Sequence, residues 1–241
     1  KCKKRKGCIY MKGTLYGIGV GPGDPRLMTY LAVDTIKRCP VIAVPADGKG
    51  KAVAYKIASG IVEDLDAKEC LNLSTPMTKD KTILDAAYQT AADTIIEQLE
   101  QGKDVACLTL GDPTIYSTYI YIHRLVKAKG YETEIVNGIP SFCAAAAISK
   151  IPLTAWDEDL VIAPVRKNNA ADLEKLLTEH ENVVLMKPST DSEALVSAIQ
   201  ASGRENSFVL VEKAGTKEQR LIREYQTLKE EPVPYLSLMI L

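Results

Sequence analysis

Two glycine-containing turns carry the residues of this chain that are best suited to holding a ligand. The first reads Gly-Ile-Gly-Val-Gly-Pro-Gly-Asp-Pro at 17–25, and the second reads Gly-Asp-Pro-Thr-Ile-Tyr-Ser at 111–117. Each turn follows an apolar, β-prone run and precedes a segment with helical spacing of apolar residues. Strand-to-helix crossings of this kind are where α/β proteins bind ligands. We therefore take the two turns as the core of a candidate site.

Glycine occupies every second position from 17 to 23. Glycine weakens a strand unless a backbone or a ligand must approach closely, so we expect a close neighbour at this loop. The spacing does not suit a dinucleotide, because that fingerprint needs a glycine five residues after its first, where this chain has Pro22 or Asp24. A phosphate-binding loop ending in glycine, lysine and a hydroxyl residue is also missing from the sequence.

Asp24 and Asp112 each stand before a proline, which is typical of a helix start. We expect Asp24 to cap a helix that ends at Cys39-Pro40 and Asp112 to cap a second helix that begins at Pro113. The buried stripe of the first helix is predicted to consist of Met28, Leu31, Ala32 and Ile36. A carboxylate can cap a helix and also contact a ligand, so both interpretations of Asp112 stay open.

Composition limits the class of protein. The chain has 241 residues, 46% of them hydrophobic, with a net charge of −1, which argues against a nucleic-acid binder that works by overall charge. Six cysteines without paired metal spacing, no secretory leader and no apolar run of membrane length predict a reduced cytoplasmic protein. We expect Cys39, Cys107 and Cys143 to be buried. His123 and His180 lack the partners of a metal site.

Strands and helices alternate along the chain and predict an α/β protein of two domains. Residues 1–12 are predicted to be a disordered tail or an extension, 13–137 an N-terminal domain with a mostly parallel wound sheet, and 138–241 a C-terminal domain with a mixed sheet. The longest helix is predicted at 80–101 and the helix after the second turn at 116–129. The last two strands, at 220–225 and 235–241, are predicted to have no helix between them.

The ordered set of motifs resembles the tetrapyrrole methyltransferase superfamily from about Thr14 to Leu241. Besides the two turns, the resemblance rests on Gly-Ile-Pro-Ser-Phe at 138–142, Leu-Met-Lys-Pro at 185–188 and Glu-Lys-Ala-Gly-Thr at 212–216. Within the superfamily, the second turn and the run at 137–146 are most similar to the C-20 methyltransferases of cobalamin synthesis. Their substrates are precorrin-2 in the aerobic route and cobalt-factor II in the anaerobic route.

The resemblance implies S-adenosylmethionine in a cleft between the two domains, no protein-bound metal, and a homodimer. The implied cofactor contacts are Pro22, Leu110, Gly111, Asp112, Ile115, Ser141, Phe142, Met186 and Ala214. The implied substrate contacts are Gly19, Gly21, Asp47 and Lys49, although Asp47 and Lys49 also suit a solvated turn. Tyr116 is the candidate catalytic residue, and its helical spacing with neighbouring apolar residues also suits a core position.

The chemistry implied by the resemblance needs no catalytic triad, because a methyl sulfonium is already electrophilic and the enzyme must mainly align it with an electron-rich carbon. An acidic tetrapyrrole requires local cations. The candidates are Lys49, Lys51, Lys79, Lys81, Arg166, Lys167, Lys187 and Lys213, and we expect at least two of them to face the cleft. Two alternatives stay open: a methyltransferase for another ring position, of the uroporphyrinogen III or cobalt-precorrin-4 type, and a non-catalytic tetrapyrrole carrier.

Overall fold

The computed structural model of the chain describes residues 11–46, 52–76, 78 and 80–241. The chain separates into two compact units, Lys1–Ile139 and Pro140–Leu241. We refer to them as unit 1 and unit 2, and each is described by itself.

Unit 1 contains a five-stranded sheet in the order β3-β2-β4-β1-β5. All of its strand pairs are parallel, as expected for the N-terminal half. Its strands are β1 (Leu15–Gly19), β2 (Val41–Ala46), β3 (Glu69–Ser74), β4 (Val105–Thr109) and β5 (Thr133–Val136). Its helices are α1 (Tyr30–Arg38), α2 (Val53–Ser59), α3 (Lys81–Glu100) and α4 (Tyr119–Ala128).

Successive residues of the central strand β4 point to opposite faces of the sheet. Ala106 and Leu108 pack with residues of α1 and α2, whereas Val105 and Cys107 pack with residues of α3 and α4. Burial on both faces explains why β4 is a continuous apolar run. It also explains why burial raises the pKa of the Cys107 thiol to about 12.

The two helices expected to start directly after the Gly-Asp-Pro turns begin later. Asp24 caps only a 3₁₀ turn, Pro25–Leu27, and α1 starts after Thr29, whose hydroxyl accepts a hydrogen bond from the amide of Ala32. This shift leaves Leu31 57% exposed rather than in the buried stripe. Met28, Ala32 and Ile36 are buried as expected.

The second helix begins at Tyr119 rather than at Pro113. Tyr116 lies in the left-handed region with a φ of 48°, and an α-helix cannot pass through a residue with that backbone conformation. The hydroxyl of Ser117 then accepts a hydrogen bond from the amide of Tyr119 at 3.2 Å. Residues 113–118 therefore form a loop of turns and bends between β4 and α4.

Unit 2 contains a second five-stranded sheet in the order β6-β7-β10-β8-β9. Strands β6 and β7 are parallel and the other pairs are antiparallel, so the sheet is mixed, as expected. Its strands are β6 (Leu160–Pro164), β7 (Asn182–Met186), β8 (Val209–Glu212), β9 (Arg220–Ile222) and β10 (Ser237–Ile240). Its helices are α5 (Ser141–Ser149), α6 (Ala170–Glu179), α7 (Ser192–Ala201) and α8 (Tyr225–Glu230).

Two expectations for unit 2 are wrong. The short helix α8 separates β9 from β10, and it is held by the buried Leu228 and by the hydroxyl of Tyr225, which donates to the carbonyl of Val196. These contacts come from other parts of the chain, whereas the local pattern at 220–225 predicts a longer strand. Cys143 is exposed because it lies on the outer side of α5, whose buried side carries Phe142 and Ala145.

Gly17 tests how tightly α4 packs on the sheet. A Cβ atom at Gly17 would lie 2.0 Å from Cε1 of Tyr119, so Gly17→Ala is expected to lower the free energy of unfolding by about 3 kcal/mol. The control is Gly130→Ala, where φ is +79° but no atom lies within 4 Å, and where we expect a loss of about 1 kcal/mol. Urea denaturation measures both. Equal losses in the two variants would show that the contact with Tyr119 has no effect on stability.

Candidate active site

The carboxyl ends of β4, β1 and β5 lie side by side, because the three strands are adjacent and parallel. The turns that follow β1 and β4 are joined by an antiparallel bridge between Gly21 and Gly111. The amide of Gly111 donates to the carbonyl of Gly21 at 2.8 Å, and the reverse hydrogen bond measures 3.2 Å. Gly21 and Gly111 both have positive φ, 75° and 71°. The two motifs that the sequence singles out are therefore in direct contact.

Two glycines of the first turn, Gly17 and Gly19, are required by contacts within unit 1. A Cβ atom at Gly19 would lie 2.5 Å from the amide nitrogen of Gly138, and one at Gly138 would lie 2.1 Å from the carbonyl oxygen of Gly111. The close neighbour expected at this loop is therefore the chain's own backbone, together with the ring of Tyr119 at Gly17. The substrate contacts assigned to Gly19 and Gly21 stay a prediction.

Asp112 is buried, with 5% of its surface exposed, and it does not cap a helix. Its carboxylate accepts hydrogen bonds from the amide and hydroxyl of Thr114, and from Asn137 and the amide of Gly138 in the loop after β5. Burial alone would raise the pKa of Asp112, but these hydrogen bonds outweigh it and hold the pKa below its usual value. The side chain is therefore an ionised carboxylate at neutral pH.

Sequence reasoning missed the loop from Asn137 to Gly138 as a partner of the second turn. The carbonyl of Asn137 also accepts a hydrogen bond at 3.2 Å from the hydroxyl of Thr29, the residue that caps α1. An Asn-Gly pair is a turn signal, and it was the available clue to a bend at this point. The pairing with Asp112 joins residues 25 or more positions apart, so no local pattern shows it.

The first turn of α4 is anchored below the loop by two hydroxyl groups. The Thr109 and Ser117 hydroxyls are 2.8 Å apart and both residues are buried. Tyr119 lies across Gly17, and its hydroxyl donates to the carbonyl of Glu134 at 3.2 Å. Its hydroxyl is also 3.1 Å from Nδ1 of His123. These contacts hold the start of α4, and with it the end of the loop at 113–118.

Tyr116 is 49% exposed, so its interpretation as a core residue is wrong. The ring lies on a loop whose backbone is bent at that residue, directly after the turn at 111–115. Non-glycine residues in the left-handed region are often found at functional sites. The catalytic role of Tyr116 stays a prediction.

In unit 2, the predicted cofactor residues lie at one edge of the mixed sheet. Met186 ends β7 and Ala214 follows β8, and both strands run antiparallel to β10, so they end at the same edge. Helix α5 contacts β8 and β10. The carbonyl of Ser149, the last residue of α5, accepts a hydrogen bond from Arg223, which follows β9 at the opposite edge of the sheet. The first residues of α5, Ser141 and Phe142, therefore lie toward the edge at which β7 and β8 end.

Four of the candidate cations lie at this same edge. Arg166 and Lys167 follow β6, Lys187 follows β7 and Lys213 follows β8. The backbones of Lys187 and Lys213 have positive φ, 56° and 46°. Lys213 forms an ion pair with Glu218. Whether any of these cations faces a cleft stays a prediction.

Several predicted residues belong neither to the loops after β1, β4 and β5 nor to the Met186 edge of the mixed sheet. Asp47 and Lys49, together with Lys51 and Lys79, lie outside the described residues, and Lys81 is the first residue of α3. A cavity of about 240 Å³ opens at the other edge of the mixed sheet, and Ile151, Phe208 and Arg223 are among its lining residues. It includes none of the predicted site residues.

Within the part of the chain that the structure describes, no group of three or more His, Cys, Asp or Glu side chains could hold a metal ion. His123 packs edge-on against Tyr119, and His180 follows α6. Across the same residues, no helix combines the length and the apolar composition needed to span a bilayer.

The profile of the Tetrapyrrole (Corrin/Porphyrin) Methylases matches residues 14–229. Because this match covers most of the chain, the chain belongs to that family. A probable cobalt-precorrin-2 C(20)-methyltransferase of Methanocaldococcus jannaschii is 41% identical over 182 residues, which are 75% of each chain. The precorrin-2 C(20)-methyltransferase of a Sinorhizobium species is 29% identical over 95% of this chain and 94% of its own length.

Solved structures agree on the fold. The cobalt precorrin-4 methyltransferase CbiF aligns with a TM-score of 0.72, covering 96% of this chain and 94% of that chain at 22% identity. A uroporphyrin-III C-methyltransferase of Thermus thermophilus, solved in complex with S-adenosylhomocysteine, aligns with a TM-score of 0.67 at 20% identity. The α/β architecture with a parallel and a mixed sheet is thus that of the tetrapyrrole methyltransferases.

His123 gives the packing of α4 a pH dependence. Burial, with smaller contributions from Lys127 and Arg124, lowers the pKa of His123 below 6.5. In the pH range between that lowered pKa and about 6.5, the unfolded chain binds more protons than the native chain. Stability is therefore expected to fall as the pH falls through this range, and His123→Gln should reduce the slope. Urea denaturation from pH 5 to pH 8 measures how the free energy of unfolding changes with pH. An identical pH dependence in the unmodified chain and in His123→Gln would contradict the assignment of this effect to His123.

Proposed function

We propose that the chain is an S-adenosylmethionine-dependent C-methyltransferase that methylates C-20 of precorrin-2 or of cobalt-factor II. The observation that carries the proposal is the 41% identity to a probable cobalt-precorrin-2 C(20)-methyltransferase. Relatives named for the same reaction, with and without cobalt, match 95% of the chain. The fold alone does not choose the ring position, because its structural neighbours carry names for other tetrapyrrole substrates.

The proposed cofactor residues have suitable chemistry for S-adenosylmethionine. Leu110 and Ile115 are half-buried next to the left-handed Gly111, and they provide an apolar wall. Met186 and Ala214 provide apolar surface at the edge of unit 2, and the hydroxyl of Ser141 adds a polar group. The bound cofactor supplies an electrophilic methyl group on sulfur.

The chain's own contribution to the reaction is alignment and exclusion of water. Effective molarities of well-aligned reactants correspond to about 7–11 kcal/mol of barrier lowering. The loops after β1, β4 and β5 are suited to this task because hydrogen bonds join them to one another. We propose that Tyr116 presents its phenol to the substrate or the cofactor from the rim of this group of loops.

A direct assay tests the reaction. The purified chain is incubated with methyl-labelled S-adenosylmethionine and either precorrin-2 or cobalt-factor II, and NMR locates the new methyl group. We expect label at C-20 with at least one of the two substrates. Label at another carbon would replace the proposal with the alternative of a different ring position. Binding of S-adenosylhomocysteine without any transfer to either substrate would favour a carrier.

The cationic edge of unit 2 provides a second prediction, concerning the substrate. We propose that Arg166 and Lys167 bind carboxylates of the tetrapyrrole, so the double change Arg166→Glu and Lys167→Glu should raise its KM about tenfold, equivalent to about 1.4 kcal/mol. The KM for S-adenosylmethionine should not change. The control is Lys175→Glu, an exposed position on α6 of the same unit. An equal KM for the tetrapyrrole in the unmodified chain, the double variant and Lys175→Glu would contradict this role.

We also propose a homodimer and a cytoplasmic location. The stacked rings of Tyr88 and Tyr121, with centroids 5.0 Å apart and Tyr121 exposed, form a small apolar surface on α3 and α4 that suits a second copy of the chain. Among the described residues, Cys39, Cys70, Cys107 and Cys143 are not joined in disulfides, as is usual in a reducing compartment.

A further inference from the structure

The chain contains the triplet Gly-Asp-Pro twice, at 23–25 and at 111–113, and the two aspartates make different contacts. Asp24 accepts hydrogen bonds from the amide and the guanidinium of Arg26, two residues away. Asp112 also accepts from its own turn, through Thr114. Asp112 differs in that it also accepts hydrogen bonds from a distant loop, at Asn137 and Gly138.

The carboxylate of Asp112 is fully used by these contacts. Oδ1 accepts from the amide of Thr114 at 2.8 Å and from its hydroxyl. Oδ2 accepts from the amide of Gly138 at 3.0 Å and from Nδ2 of Asn137 at 3.3 Å. A carboxylate has about four acceptor sites, so the side chain has no acceptor left for a hydroxyl of the cofactor.

Three turns depend on this carboxylate. Gly138 packs so closely on the carbonyl of Gly111 that a Cβ atom at position 138 would not fit. Gly111 is in turn bonded to Gly21. The amide of Gly138 is buried with Asp112 as its acceptor, and a buried donor without an acceptor is unfavourable. Loss of the carboxylate would therefore loosen the loop after β5 from the turns after β4 and β1.

We infer that Asp112 is a positioning residue: its carboxylate holds the Asn137–Gly138 loop against the Gly111 turn and so sets the backbone that binds the cofactor. This inference rests on the proposed function, because it assumes that the Gly111 turn binds S-adenosylmethionine. It replaces the expectation of a direct cofactor contact by the Asp112 side chain. The direct role is left to the peptide groups of Leu110 and Asp112, which flank the bridged Gly111.

The main test is Asp112→Asn with Asp24→Asn as its matched control. An amide offers one acceptor oxygen in place of two, so in Asp112→Asn a donor amino group must face either the amide of Thr114 or that of Gly138. We expect S-adenosylhomocysteine to bind at least tenfold more weakly by calorimetry, and the amide of Gly138 to exchange its hydrogen faster. Asp24→Asn should leave the dissociation constant within twofold, because its contacts stay within one turn.

A second change separates positioning from a general loss of stability. Asn137→Asp alone places two carboxylates side by side and should weaken cofactor binding. In the double variant Asp112→Asn with Asn137→Asp, the new amide can donate to the new carboxylate, although the amide of Gly138 still lacks its acceptor. We therefore expect Asn137→Asp to reduce the affinity at least threefold less in the Asp112→Asn background than in the unmodified chain. The KM for S-adenosylmethionine should follow these changes more than kcat does. Equal reductions in the two backgrounds would contradict the inference.

The outcomes of the two proposals are distinguishable. If the unmodified chain binds no S-adenosylhomocysteine, the proposed function fails. If the unmodified chain binds it and Asp112→Asn binds it equally well, the function stands and the positioning role is overturned. If Asp112→Asn does not fold, Asn137→Ala removes one donor and keeps the carboxylate. We then expect about threefold weaker binding and faster exchange at Gly138, and no change in either would overturn the inference.

Discussion

The architecture of unit 1 depends on the close approach of three backbone segments at the ends of β1, β4 and β5. No side chain separates them, because Gly19, Gly111 and Gly138 meet at distances that a Cβ atom would not allow. Backbone groups that come this close must be hydrogen-bonded, and the Gly21–Gly111 bridge and the Asp112 carboxylate satisfy them. The consequence is a group of loops whose relative positions are set by many short contacts.

This constraint changes the meaning of the glycine pattern. Alternating glycines next to a strand suggest a ligand, and the same pattern arises when the strand ends pack on each other and on an aromatic ring. Gly17 and Gly19 belong to the second case, since Tyr119 and Gly138 occupy the space in question. The family membership and the glycine packing are compatible, because loops with fixed backbones are suited to aligning two reactants.

The two Gly-Asp-Pro turns show how one local motif can serve two purposes. Both aspartates accept hydrogen bonds from residues two positions later. Asp24 is half-buried beside the exposed Arg26, whereas Asp112 is buried at the junction of three strand ends. Burial raises the energetic importance of every hydrogen bond at Asp112. The position of each aspartate in the sheet, rather than the motif, therefore sets how much its hydrogen bonds contribute to stability.

The sequence by itself determined the order of strands and helices as far as β9, the parallel and mixed sheets, the family and the turns after β1 and β4, because these follow from local periodicity and from ordered motifs. It did not determine where α1 and α4 begin, the helix α8, the exposure of Tyr116 or the partners of Asp112. Each of these depends on residues far apart in the chain, as when Asp112 meets Gly138 or Tyr225 meets Val196. Only the tertiary structure brings such residues together, because packing between elements, and not local propensity, selects them.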